Sequence, residues 1–104
     1  MLSDAAIDSL ARKRLNVLLA SLCKLFPGFG GFPVGPQSAL IDLGWNLGTG
    51  AHPGLAGWPK LRHACNLVPP DWQGAAEESH CATSRRERND YRRACFLAAL
   101  KPLS

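Results

Sequence analysis

Ile7, Leu10, Ala11, Leu15, Leu18, Leu22 and Leu25 recur at steps of three and four residues, and Pro27 closes the run. Such steps place side chains on one face of an α-helix, and proline stops it because its ring blocks the next turn. The pattern predicts a helix over residues 3–26, with Ser3 as its N-cap and Asp4 beside the positive helix end. Arg12, Lys13 and Arg14 interrupt the apolar line and read as a solvated turn. A single helix of that length within 104 residues makes the rest of the chain a set of elements that must cover its apolar face.

Those elements also read as helices. Pro27-Gly-Phe-Gly-Gly-Phe-Pro33 is a glycine-rich loop whose Phe29 and Phe32 plug into the core; it lacks the Lys-Ser/Thr ending of a phosphate-binding loop. A second helix is expected from near Pro36 to Gly48, with Leu40, Leu43 and Leu47 on one face and Ala39 and Ile41 beside them. It is apolar almost all round, as a central helix is. Thr49 to Gly54 is a loop, and a third, short helix after Trp58-Pro59 carries Leu61, Ala64 and Cys65 inward. Pro69-Pro70 breaks the chain, and Asp71 caps a fourth helix that turns Trp72, Ala75, Ala76 and Ser79 inward. Ser84 and Glu87 have the spacing of a capping box for a fifth helix, which is expected to run to Lys101 with Tyr91, Ala94, Cys95 and Ala98 as its inner face. The reading is one all-α domain over residues 1–104, built of about five helices.

With 46% apolar and 19% charged residues the composition is that of a soluble globular chain. No apolar run approaches the roughly 18 residues of a membrane span. The start, Met1-Leu-Ser-Asp-Ala-Ala6, has no basic stretch followed by an apolar one, so a cytoplasmic location is expected. For the four cysteines, Cys23, Cys65, Cys81 and Cys95, that expectation favours reduced, mostly buried thiols. The net charge of +4 favours an anionic partner: an acidic protein surface, nucleic acid or cell wall.

Three segments carry a resemblance. Gln37-Ser-Ala-Leu-Ile-Asp-Leu-Gly-Trp-Asn-Leu-Gly48, then Trp58-Pro-Lys-Leu-Arg62 with Asp71-Trp-Gln-Gly-Ala-Ala-Glu-Glu78, then Ser84-Arg-Arg-Glu-Arg-Asn89 with Arg93 and Phe96, are together similar to the C-terminal lobe of phage-type lysozymes, the endolysins. The resemblance implies a compact helical lobe in which Trp45 and Asn46, at the end of the central helix, look onto a glycan cleft. Enzymes of that family place a glutamate, then an aspartate or cysteine, then a threonine ahead of their long helix. Here the long helix comes first and no glutamate precedes Glu77, so the resemblance implies the fold without the family's catalytic segment.

Other constellations are weaker. Glu77 and Glu78 are neighbours on a helix and point about 100° apart, so they would not flank one bond. His63, Cys65, His80 and Cys81 lack the paired spacing that zinc prefers, and no metal or cofactor is expected. His63 and Cys65, two apart on a helix, face different ways and make no Cys-His pair. Trp45, Trp58 and Trp72 either fill the core or, where exposed, stack on sugar rings. Arg85, Arg88 and Arg92 share one stripe of the fifth helix, able to meet carboxylates or phosphates or to stand as a solvated face, with Arg86 and Asp90 as an ion pair.

The expectation is a non-catalytic, lysozyme-like protein of phage or mobile-element origin. It would bind and inhibit a host macromolecule such as a bacterial defence complex, through an acidic protein or nucleoprotein surface met by Arg85, Arg88 and Arg92. The alternatives are a lytic or peptidoglycan-binding protein acting through Trp45 and Asn46, and nucleic-acid binding through the arginine-rich helix.

Overall fold

The computed structural model describes residues 4–50 and 54–100, which form α1 (Asp4–Leu25), α2 (Val34–Leu47), α3 (Pro59–Asn66), α4 (Trp72–Glu78) and α5 (Arg86–Ala98), with short 3-10 turns at Phe29–Gly31 and Leu55–Gly57. No strand occurs among the described residues, and the all-α expectation holds. The expected Ser3 cap, the Asp4 side chain, and Lys101 with Pro102 lie outside what the structure describes.

The long stripe of α1 is used only in part. Leu18 and Leu22 are buried and Leu25 packs beside them, but Ile7 is 53% and Leu10 55% exposed. Helix length explains the difference: 22 residues of α1 span about 33 Å, whereas the 14 residues of α2 that cover it span about 21 Å. The N-terminal half of α1 therefore overhangs the globule, whose longest dimension is 46 Å against 32 and 27 Å for the others.

Phe26 accepts no further turn of helix, since Pro27 follows, and the chain reverses through the 3-10 turn. The loop aromatics behave as the sequence implies. Phe29 is buried, and Phe32 meets the edge of Trp72 with ring centres 4.9 Å apart. Trp72 in turn stacks on Phe96 at 6.2 Å, so one aromatic row joins the loop to α4 and α5. The Gln37 side chain donates to the carbonyl of Phe29 at 2.9 Å and ties this row to the start of α2.

α2 is the central helix, packed on α1 and α5 with Ala39, Leu40, Leu43 and Gly44 buried. It starts at Val34, two residues before the proline that the sequence marks, and is capped after Leu47 by Gly48, whose φ of 85° is left-handed and suits glycine. Near its other end, a Cβ on Gly35 would collide with the backbone carbonyl of Cys95, so glycine lets α2 and α5 approach there. In α3, Leu61, Ala64 and Cys65 are buried; in α4, Asp71 caps the helix by accepting from the Gly74 amide at 3.0 Å, with Trp72, Ala75 and Ala76 inside. Ser79 is also buried and donates to the Ala76 carbonyl at 2.8 Å.

α5 corrects two expectations. Its N-cap is Arg85, not Ser84, so the Ser84–Glu87 capping box does not form; the Ser84 hydroxyl instead accepts from the Arg92 guanidinium at 2.9 Å. The inner face is Asn89, Arg92 and Phe96, whereas Tyr91, Ala94 and Ala98 are exposed and Cys95 is half-buried. Apolarity misleads here because the helix turns polar side chains inward, each with partners. Asn89 accepts from the Cys81 amide at 2.9 Å and donates to its carbonyl at 3.0 Å, pinning the α4–α5 loop.

Leu40 is wholly buried at the centre of this arrangement. Leu40→Ala is expected to destabilise the domain by about 2–5 kcal/mol, read as a shift of the urea midpoint at unchanged slope.

Candidate functional site: the Asp42–Arg88–Trp45 face

Asp42 is the one acidic residue of α2, and α5 supplies two guanidinium groups to it. Arg92 Nε donates to Asp42 Oδ2 at 2.7 Å, and Arg88 Nη1 to Oδ1 at 2.6 Å. The two arginines differ in setting. The Arg92 side chain is 0% exposed; its Nη1 is taken by Ser84, and its Nη2 has no hydrogen-bond partner among the described residues. The Arg88 side chain is 52% exposed, so one end is fixed by Asp42 and the rest faces solvent. Asn46 completes the group by donating to the Asp42 backbone carbonyl at 2.7 Å and to its carboxylate at 3.2 Å.

One turn along α2, Trp45 is held from the other side. The Arg14 guanidinium lies over the indole, 4.3 Å from the ring centre, and donates to the Trp45 carbonyl at 3.2 Å. This cation–π contact and hydrogen bond restrict the indole while leaving the residue exposed. Trp45, Asn46, Ile41, Arg88 and Tyr91 surround a shallow recess of about 460 Å³ over Asp42. The Cys95 side chain, then partial burial and the Asp42 carboxylate, push the Tyr91 hydroxyl above its ordinary pKa. It is therefore a neutral donor and acceptor at pH 7.

The expected arginine stripe is thus divided. Arg85 and Arg88 are exposed, but Arg92 is sealed into the α2–α5 contact and is not available to a partner. Its charge is held inside by the Asp42 carboxylate, which supplies the counter-charge, and by Ser84, which accepts a second bond. Trp45 and Asn46, read separately from the arginines, lie beside Arg88 on one face. Asp42 is inconspicuous within an apolar helix; its sequence signal is a lone carboxylate there, opposite a helix with arginines at four-residue spacing.

The remaining constellations stay apart. Glu77 and Glu78 are both exposed, and Glu77 accepts from Gln73 at 3.2 Å. His63 is exposed while Cys65 is buried, and His80 is exposed while Cys81 is buried. Among the described residues no three His, Cys, Asp or Glu side chains are placed to hold a metal ion, and no helix is long and apolar enough to cross a membrane. Arg86 and Asp90 form the expected surface pair at 3.8 Å. All four cysteines are free thiols, but Cys23 is exposed rather than buried. Burial pushes the Cys65 thiol up to about 12. Burial also acts upward on Cys81, but hydrogen bonds from the side chains and backbone of Thr83 and Ser84 outweigh it and hold that thiol below its ordinary value.

Comparison with known proteins leaves this geometry to stand alone: no protein family, no curated protein and no solved structure matches the chain.

Removing Asp42 strands a fully buried guanidinium, so Asp42→Ala is expected to cost about 3–5 kcal/mol in chemical denaturation. Pairing it with Arg92→Met removes the uncompensated charge and should recover more than half of that loss. For the thiols, a colorimetric reagent at pH 8 should modify Cys23 first and reach Cys65 only on unfolding, because almost no Cys65 thiolate exists in the folded protein.

Proposed function

We propose that this domain works by binding, as a lysozyme-lobe-like protein of phage or mobile-element origin that docks on and inhibits a host macromolecule with an acidic surface. The observation that carries the reading is the half-exposed Arg88, anchored by Asp42 between the exposed aromatics Trp45 and Tyr91. Arginine, tryptophan and tyrosine dominate binding energy where they cluster. Here Arg88 and Trp45 are already held by Asp42 and Arg14, so less side-chain freedom is lost on docking. The net charge of +4 adds attraction toward a negative partner. Glu77 and Glu78, solvated neighbours on one helix, offer no pair of carboxyl groups facing each other across a cleft.

A second reading is favoured by one feature of the same face. Trp45 and Tyr91 line the recess together with Asn46, and aromatic side chains with a polar neighbour are a set that can stack on sugar rings. Peptidoglycan is the glycan in question, bound rather than cleaved.

One series of variants separates the two. Host proteins captured on the immobilised domain give a purified partner, whose affinity is then measured for wild type, Arg88→Ala and Trp45→Ala at two salt concentrations. Arg88→Ala should weaken binding at least about tenfold and reduce the salt dependence, while thermal unfolding stays near wild type. Cell-wall suspensions should not clear in a turbidity assay. Clearing of the walls, or a partner affinity unchanged by Arg88→Ala, would sink the proposal. Co-sedimentation with peptidoglycan that Trp45→Ala abolishes would favour the second reading.

A further inference from the structure

We infer that the overhanging half of α1 is a self-association surface, on which α1 of a second copy of this chain packs antiparallel. This inference is independent of the proposed partner face.

The line Leu22, Leu18, Leu15, Ala11, Ile7 runs up one side of α1 at steps of three and four residues. At Leu22 and Leu18 it is buried against the body of the domain. From Leu15 to Ile7 the same line is exposed, and Leu10 and Val17 flank it, also exposed. It is a core-type face carried past the end of its core. Large apolar side chains held in this way on a rigid helix mark a docking surface.

Charge order selects the occupant and its direction. Asp8 and Arg12 lie on one flank of that line, both exposed, and among the described residues neither is ion-paired. In an antiparallel pair with its two-fold axis at Ala11, Ile7 of each copy lies opposite Leu15 of the other. The small Ala11 side chains meet on the axis and let the helices approach. Asp8 then faces Arg12 twice, once on each side of the axis. A parallel pair has its two-fold axis along the helices, which turns the Asp8–Arg12 flank of each copy toward the opposite, Leu10 flank of the other, so that neither charge pair forms. The stripe is therefore self-complementary in one direction only, as a closed two-fold contact requires. Arg14 does not interfere, since its guanidinium is folded back over Trp45.

The contact is short, about three helical turns, and smaller than the roughly 1,200 Å² of a stable interface. A dissociation constant of roughly 10 µM to 1 mM is expected.

Sedimentation equilibrium of the full chain under reductant, across roughly that concentration range, provides the test. Wild type should fit a monomer–dimer equilibrium. Ala11→Glu, Asp8→Arg and Arg12→Asp should each weaken the dimer by about tenfold or more. The combined exchange, Asp8→Arg with Arg12→Asp, should return affinity to within about threefold of wild type. Circular dichroism should show the helix content of all variants unchanged, because every altered position is exposed; were Ala11→Glu to lose helix, the charge variants alone would decide. A monomer at all concentrations, a dimer indifferent to the single charge reversals, or an exchange variant as weak as its parents would overturn the inference.

Discussion

The Arg92 guanidinium is a full positive charge with no exposed surface, and the packing of α2 on α5 depends on its pairing with Asp42. A buried charge without a counter-charge costs several kcal/mol, so only arrangements that bring Asp42 to Arg92 are open to the two helices. Gly35 sets the other end of the contact by approaching the Cys95 backbone. Later residues of α2 thus meet earlier residues of α5, which makes the pair antiparallel and fixes its register. Apolar packing alone would leave that register looser, because Ala and Leu faces tolerate shifts that an ion pair does not.

The rest of the domain builds outward from this pair. Phe29, Phe32, Trp72 and Phe96 form an aromatic row that closes the core on the side of the α1–α2 loop. Asn89 holds the α4–α5 loop through both the oxygen and the NH2 of its side-chain amide, and in doing so places Ser84 where it accepts from Arg92. The loop is thereby coupled to the ion pair: loss of Asp42 would free not one contact but a chain of them running from α2 to the entrance of α5.

The same pair shapes the surface. Because Asp42 has two oxygens, one is used inside by Arg92 and the other holds the half-exposed Arg88, so an internal packing device also orients an external charge. Trp45 lies next to it, fixed by an arginine from α1. That arginine lies within the exposed half of α1, between Leu15 and Leu10. The domain therefore presents two separate surfaces: a preorganised Arg–aromatic face, and an apolar helix face with its own alternating charge.

Periodicity and punctuation determined the helices. Pro27, Gly48, Pro59 and the Asp71 cap act through the backbone of their own neighbourhood, so their effects were legible from residue order, as were the inward Leu40, Leu43, Leu61, Ala64, Trp72 and Phe29. What residue order did not decide was which polar groups go inside. Arg92 looked like part of a solvated stripe, and Tyr91 and Ala94 looked like core, because apolarity alone ranks them that way. The cost of burying an arginine depends on whether a carboxylate fifty positions away reaches it, and that distance exists only in the folded chain. The reach of α1 was hidden for a similar reason: its stripe is uniform in sequence, and only the shorter span of α2 determines where burial stops.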